Sequence, residues 1–560
     1  MSDQTKNINT ASVVPAAWSS YKKLGFRIIF IFFLAMSIPF TSNWYSNVFT
    51  LNWFRPHYRD IYDIARFQPT FQQFFGGAQG DFGDGDLPAG NNKIQKNNNN
   101  KPDKKHKQGN NFGQENTNSL SAKKSFLADY TDWGIALLIG IVGGVIWTLF
   151  DRKSKSYNIL YYWLRVVVRY RAGIGIIGFG FTKLFPTQMP YPSLGLLNSN
   201  FGDYTAQKIY WLSVGIVPWY QVFGGIVEIA AGTMLLFRRT TTFGAILLVG
   251  ALGDITFVNY AYDGGVHVYA FYFVFLGLFL LAEDIPKLYS LLILERYTVP
   301  FHVYPDFRKP WLKYTRIGLK TLTFVIFFVI LTYTEVINFK YDPYKQPSTA
   351  GLKQLRGNYH VTEFKINGQD IPYNPLDSTR WQEATFENWT TLTFKVYRPV
   401  VIDPSNGGGS PMKDIKRTFE ITGVAGGQRA YHYYADTVDK VLYLQDKNTV
   451  ALRGGRGGTK VDKAKNAQPD NWISKTAWAH IGDEKKMIDQ HAWSTRRDRE
   501  FAKKESEPKR NRMILKYDTA DGSRVILSGV NERKDSIYVV LDRYDRKYIL
   551  PQSTLSAGKY

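Results

Sequence analysis

The sequence predicts a multi-domain fold, an α-helical membrane bundle of about seven spans followed by an antiparallel β-barrel, and three observations carry that prediction. Apolar stretches of spanning length crowd the first 339 residues. Beyond them, short runs alternate apolar and polar residues between Gly, Asn and Asp turns. A mean hydropathy of -0.26, with 44% hydrophobic and 21% charged residues in 560, therefore averages two halves of opposite character.

The apolar stretches run over 24–42, 132–150, 159–185, 209–237, 241–262, 267–282 and 317–336. Residues 1–42 read as an uncleaved anchor span, because Lys22, Lys23 and Arg27 precede its apolar run and no small-x-small cleavage site follows. Residues 43–131 form an extracytoplasmic loop. Its aromatic part, 44–75, is expected to lie along the membrane surface, and its Gly/Asn/Lys-rich part, 76–124, to be disordered. A second span and a basic loop fill 132–156, and four apolar helices fill 157–292. The last span falls in 293–339, bordered by a cytoplasmic interfacial segment around 287–314 that mixes leucines with arginines and lysines.

Orientation follows from the cations. Arg152, Lys153 and Lys155, then Arg238 and Arg239, then the basic residues between 287 and 320 share a side with Lys22, Lys23 and Arg27 if each stretch crosses once. The N-terminus is then cytoplasmic and the C-terminal domain outside, which in a bacterium means the inner membrane and the periplasm.

Residues 340–560 carry nine expected strands, at 358–366, 381–387, 391–397, 416–421, 430–435, 441–444, 513–517, 525–527 and 536–541. Their spacing indicates a small barrel or sandwich, and a barrel of that size holds one apolar ligand or is filled by side chains. The filled or partner-binding form is favoured. The basic stretch 446–512 (RGGRGG, RRDREFAKK) is expected to be a solvated insertion.

Composition excludes several functions. Without cysteine there is no disulfide, thiolate metal site or thiol redox chemistry, so a redox role needs a bound cofactor or a partner. The net charge of +23 sits in loops beside apolar stretches and in polar insertions, which points to anionic lipid or solubility, not nucleic acid. No HExxH motif or helically spaced His pair appears, so no metal is expected.

The candidate site rests on charges inside apolar stretches. Arg165, Arg169 and Arg171 lie in 159–185 and Glu228 in 209–237, where an ionised group costs roughly 2.5–3.5 kcal/mol. Counted at 1.5 Å per residue, Arg169 lies about 15 Å and Glu228 about 13–14 Å from the cytoplasmic face, so the two are expected to meet. Gly173 and Gly180 share the arginine stripe, and Gly224, Gly225 and Gly232 share the Glu228 stripe, where small residues let helices approach. Asp254, about 20 Å in, completes an intramembrane set with Arg165, Arg169 and Glu228. A second set, Lys183, Asn259, Asp263 and His267, falls towards the outer face, with His267 either a proton carrier or a hydrogen-bonded interfacial residue. Two readings of the inner set stay open. One is an ion pair that fixes helix register; the other is a site where cations bind an anion or a quinone carbonyl and the carboxylate moves a proton.

The pieces FGFTKLFPTQMPYPSLGLL, FGDYTAQ, GGIVEIAAGTMLLFRRTTTFGAILLVGALGDITFVNYAYD and LFLLAEDIPKL, within 157–292, resemble DoxX-like (DoxX/DoxD) integral membrane proteins. That resemblance implies a four-helix membrane core and, through similarity to the DoxD component of thiosulfate:quinone oxidoreductase, an accessory or quinone-linked role in a membrane redox complex. The added spans, the Asn/Lys loop and the β domain depart from the family's small size. They keep a second function open, a non-catalytic scaffold or envelope-assembly protein whose barrel binds a partner. LRGNYHVTEFKING resembles the opening Gly-x-Trp strand of lipocalin-like domains, with Tyr359 in place of the tryptophan and Trp381 as its stand-in. Arg543 in VVLDRYDRKYIL is then the arginine that closes the barrel.

Overall fold

The computed structural model describes residues 17–67, 69–71, 130–297, 305, 307–343, 345–400, 402–407, 413–448, 470–502 and 510–560. The tract expected to be disordered, 76–124, and the glycine-rich part of the basic insertion lie outside the described residues.

Thirteen helices build the first half among the described residues: α1 (Ser20–Ser37), α2 (Ser42–Thr50), α3 (Tyr58–Ala65), α4 (Thr131–Phe150), α5 (Asn158–Leu184), α6 (Leu194–Leu197), α7 (Ala206–Gly215), α8 (Pro218–Leu236), α9 (Thr241–Ala261), α10 (His267–Leu281), α11 (Ile285–Leu292), α12 (Pro310–Phe324) and α13 (Leu331–Tyr341). Among the described residues, four helical segments are long and apolar enough to cross a membrane: Thr131–Phe150, Pro218–Leu236, Arg238–Ala261 and Pro310–Tyr341. The pair α10 and α11, bent by 69° at its break, makes a fifth if counted as one span.

The seven-span expectation is thus met in part, and sequence features explain the difference. α5 is 27 residues long but carries Arg165, Arg169, Arg171 and Lys183. α1 opens on Lys22 and Lys23 and has 18 residues. The expected stretch 209–237 breaks before Pro218, which starts α8 and has no N–H to continue a helix from α7.

α5 is the axis of the bundle. It packs against α8 through a seam of glycines: a Cβ at Gly173 would strike the Gly232 carbonyl, and one at Gly180 the Gly225 carbonyl. Gly140 and Gly144 of α4 receive Ile28 of α1 in the same way. α3, expected at the membrane surface, is instead buried in the bundle, where Ile61 and Ala65 join Ile177, Phe181 and Leu331 in one apolar cluster. α11 buries no residue and exposes Tyr289, Leu291 and Leu292, in keeping with an interfacial segment.

The second half is a closed antiparallel barrel of eight strands with a short ninth attached. The strands are β1 (Gly357–Ile366), β2 (Gln369–Asp370), β3 (Glu383–Phe386), β4 (Thr391–Lys395), β5 (Gln428–Asp436), β6 (Val441–Asp446), β7 (Arg512–Asp518), β8 (Arg524–Val530) and β9 (Ser536–Tyr544). β2 folds back on β1 through Asn367-Gly368, both at positive φ as a tight hairpin turn demands. The remaining strands pair in sequence order, and β9 returns to β1 to leave no free edge in the barrel. Apolar side chains such as Phe364, Phe386, Leu444 and Leu527 point inward and fill it.

Arg543 closes one end. Its guanidinium lies over the Tyr359 ring at 5.4 Å and donates to the Tyr359 hydroxyl at 2.8 Å and the Gln354 carbonyl at 2.6 Å. Tyr359 is therefore the ring that Arg543 covers. Trp381 does not substitute for it; that ring stacks on Phe394 at 3.9 Å.

Two expectations for the β half are corrected. Residues 416–421 form a loop, not a strand, because Arg417, Phe419 and Glu420 are spent on contacts with other segments. The basic insertion is not merely solvated. Its described part folds into α14 (Lys475–Ile481), α15 (Glu484–Met487) and α16 (Thr495–Ala502). Trp478 packs edge-on against Tyr434 of the barrel and Trp472 against Tyr443, so aromatic residues hold the insertion to the outer barrel wall.

Candidate functional site

Glu228 leaves α8 one turn past Gly224 and is 2% exposed. Lys183, in the last turn of α5, donates to its Oε1. Its Oε2 has no hydrogen-bond partner, and a buried carboxylate oxygen left so demands an explanation.

The expected partnership of Glu228 with Arg169 is corrected by the helix register. With Gly173 on Gly232 and Gly180 on Gly225, Arg169 lies level with Leu236. Eight residues of α8, about 12 Å, then separate its level from that of Glu228. The depth count assumed level helix ends, whereas α5 starts well below the last turn of α8. Arg169 instead donates to the Leu235 carbonyl at 3.0 Å and the Leu236 carbonyl at 3.3 Å, capping the negative end of α8. Arg165 pairs with Glu283 and reaches the Leu280 carbonyl at 3.2 Å. Arg171 ties α5 to the Ala65 carbonyl at 2.7 Å and to Tyr272 at 3.1 Å. The three arginines are therefore each matched to other groups, and Arg165 and Arg169 do not belong to the Glu228 site.

The outer set divides as well. Lys183 and Asn259 line the same cavity as Glu228, and Asn259 donates to the Ile255 carbonyl at 2.7 Å. Asp254, exposed on α9, stands on the rim of that cavity. Asp263 is exposed in a left-handed turn, and His267 lies edge-on to Tyr260 at 5.9 Å; neither lines the cavity.

The cavity measures about 650 Å³ and lies between α3, α5, α8, α9 and α10 at the end of the bundle that meets the barrel. Phe179, Phe223, Ile246, Leu247 and Phe273 make its walls apolar, with Lys183 and Glu228 as the polar pair between them. Arg66 stands among Tyr62, Phe179 and Tyr269 at 5.5, 5.8 and 6.0 Å from their ring centres. Lys345 and Asn406 roof it from the β half, with the Lys345 ammonium 3.7 Å over Trp211 and donating to the Asn406 carbonyl at 2.8 Å. Beside it, burial pushes Lys208 well below the ordinary lysine range, with the Lys345 charge adding to the effect. Nothing in the local sequence marks Lys345 as a lining residue, since only the docking of the β half brings it over Trp211 of α7.

That docking has its own polar centre. Asp342, just past α13, pairs with Arg417 at 2.5 Å, with Arg497 of α16, and with His57 at 3.6 Å. Arg496 reaches Asp60 at 3.2 Å and Asp63 at 3.0 Å, so the insertion clasps α3. Burial alone pushes Asp342 up, but the Arg417 and Arg497 charges and the His57 hydrogen bond outweigh it and hold the carboxyl well below its usual range. Burial pushes His57 down, against the opposing pull of Asp342.

Among the described residues, Asp436, Asp439 and His480 stand close enough to hold a metal ion. His480 Nδ1 is 3.0 Å from Asp436 Oδ2, and Asp436 Oδ1 accepts the Val438 and Asp439 amides at 3.0 Å each. Hydrogen bonds within the turn, and from His480 of α14 to Asp436, account for this arrangement.

Fold and site together define a chain whose apolar helices can cross a membrane, bearing a filled barrel at one end and an amphipathic cavity beneath it. No protein-family model matches the chain, and no solved structure matches it. A segment is similar to the uncharacterized protein YwoB of Bacillus subtilis (strain 168), 36% identical over 58 residues. The match covers 10% of this chain and 38% of that protein.

Proposed function

We propose that this chain is a DoxX-like inner-membrane protein that holds a lipid-soluble molecule of the quinone class in the cavity and serves as an accessory component of a redox membrane complex. The N-terminus is cytoplasmic in this reading, and the periplasmic barrel, lipocalin-like in its Tyr359–Arg543 closure, docks a protein partner. The observation that carries the reading is the buried Glu228 carboxylate, with one oxygen on Lys183 and the other unpartnered at an apolar cavity. Such a pair offers a donor to a carbonyl and an acceptor to a hydroxyl, which suits the two forms of a quinone.

Purification of the full chain in mild detergent, followed by mass spectrometry of its lipid extract and co-purifying proteins, tests this. Wild type is expected to retain a quinone-class molecule that Glu228→Gln loses, while both fold alike. Absence of any quinone and of any redox partner would overturn the reading. The second reading, a scaffold or envelope-assembly protein, is favoured by the clasp around Asp342, which fixes the barrel to the bundle.

A further inference from the structure

We infer that the cavity is loaded sideways from the bilayer, through a gap between α8 and α9, and that its occupant is a single-tailed amphiphile whose small head donates a hydrogen bond to Glu228. This rests on the reading of the cavity as a lipid-soluble ligand site and adds the route and the head chemistry.

The two helices touch at one end and part at the other. At Gly244 they are in contact, since a Cβ there would strike Met234, the Ala231 carbonyl and the Leu235 amide. Six residues further along α9, about 9 Å towards the barrel, a Cβ at Gly250 would meet no atom within 4 Å. Across the gap, a Cβ at Gly224 would meet only the Lys183 stem, at 3.9 Å. Residues that line the cavity here are also open to the outside: Phe223 is 61% and Ile246 45% exposed, and Gly250 and Asp254 are exposed too. Both helices are among those long and apolar enough to cross a membrane, so the gap faces hydrocarbon when they do. The opposite end of the cavity is covered by Trp211, Lys345 and Asn406.

Head chemistry follows from what waits inside. Gly224 and Glu228 lie one turn apart on α8, so a head passing Gly224 meets the carboxylate next. Glu228 Oε2 lacks a donor, which a hydroxyl or amine supplies and an ether or ester does not. An ionised phosphate or carboxylate head brings a second negative charge beside the Glu228 carboxylate and offers its Oε2 no proton. The tail of such a molecule stays in the gap and trails into the bilayer.

The full chain in lipid nanodiscs, titrated with decyl-tailed ubiquinol and read by quenching of tryptophan fluorescence, tests the route. Gly250→Phe is expected to slow association about tenfold, while Gly318→Phe, at an exposed glycine of α12 far from the gap, leaves it unchanged. A ubiquinol with a longer isoprenoid tail should bind within about twofold of the decyl form, because the extra tail lies outside, and the dimethyl ether should bind far more weakly. If Gly250→Phe fails to fold, Gly250→Cys serves instead, measured before and after alkylation by a bulky maleimide, since the natural chain has no cysteine. Wild-type binding with unaltered association after either block overturns the sideways route alone. Equal affinity for the dimethyl ether overturns the head assignment alone. No binding of ubiquinol to wild type overturns the quinone reading and this inference with it.

Discussion

Two buried carboxylates, Glu228 in the bundle and Asp342 at the junction with the barrel, are each 2% exposed, yet their surroundings differ in kind. Asp342 is saturated: Arg417 and Arg497 take its oxygens and His57 stands by. Glu228 meets one cation and keeps an oxygen free beside an apolar cavity. Depth in the protein is the same, so burial does not distinguish a structural charge from a binding one. An unmet hydrogen-bonding position at the wall of a cavity does.

The largest expected effect breaks the saturated side. Asp342→Asn removes the carboxylate that two buried arginines share, leaving Arg417 with Asp414 at 3.8 Å, and should cost about 3–5 kcal/mol, seen as a lower melting temperature in detergent. Arg497→Ala removes one partner and should act more locally, exposing 470–502 to protease while the barrel's far-ultraviolet signature persists. Acid should loosen the same junction. His57 has a folded pKa lowered from 6.5, so folding is favoured fully above that value and weakens as pH falls through it towards the folded value. Asp342, also lowered, adds a further loss only as pH falls below about 4. The protection of α16 amides relative to their intrinsic exchange rate is expected to fall from pH 7 to about pH 5 in wild type, and His57→Asn should remove that fall. A smaller effect belongs to Arg543→Ala, which uncovers Tyr359 and should lower barrel stability by about 1–2 kcal/mol.

Much of the scaffold was legible in the sequence. Period-two runs located the eight barrel strands, and Arg543 was readable as a closing arginine, but its partner Tyr359 was not, since Trp381 read as the stand-in for the tryptophan. Glycine stripes on α5 and α8 correctly marked the faces that meet. Register was not legible: a depth count from helix ends put Arg169 beside Glu228, because nothing in one sequence says that α5 begins below α8. Nor was the role of 446–512, whose cations read as solvated although Trp472 and Trp478 gave a signal for packing. The cavity's roof, Lys345 and Asn406, belongs to the β half and is visible only once the halves dock.

The most direct test compares Glu228→Gln with Asp342→Asn by thermal unfolding of the purified full chain stripped of lipid-soluble molecules. Glutamine keeps an acceptor for Lys183, which itself lines the cavity, so Glu228→Gln should change stability by less than about 1 kcal/mol while Asp342→Asn loses several times that. Equal and large losses from both substitutions would contradict the distinction, and would make Glu228 one more structural ion pair.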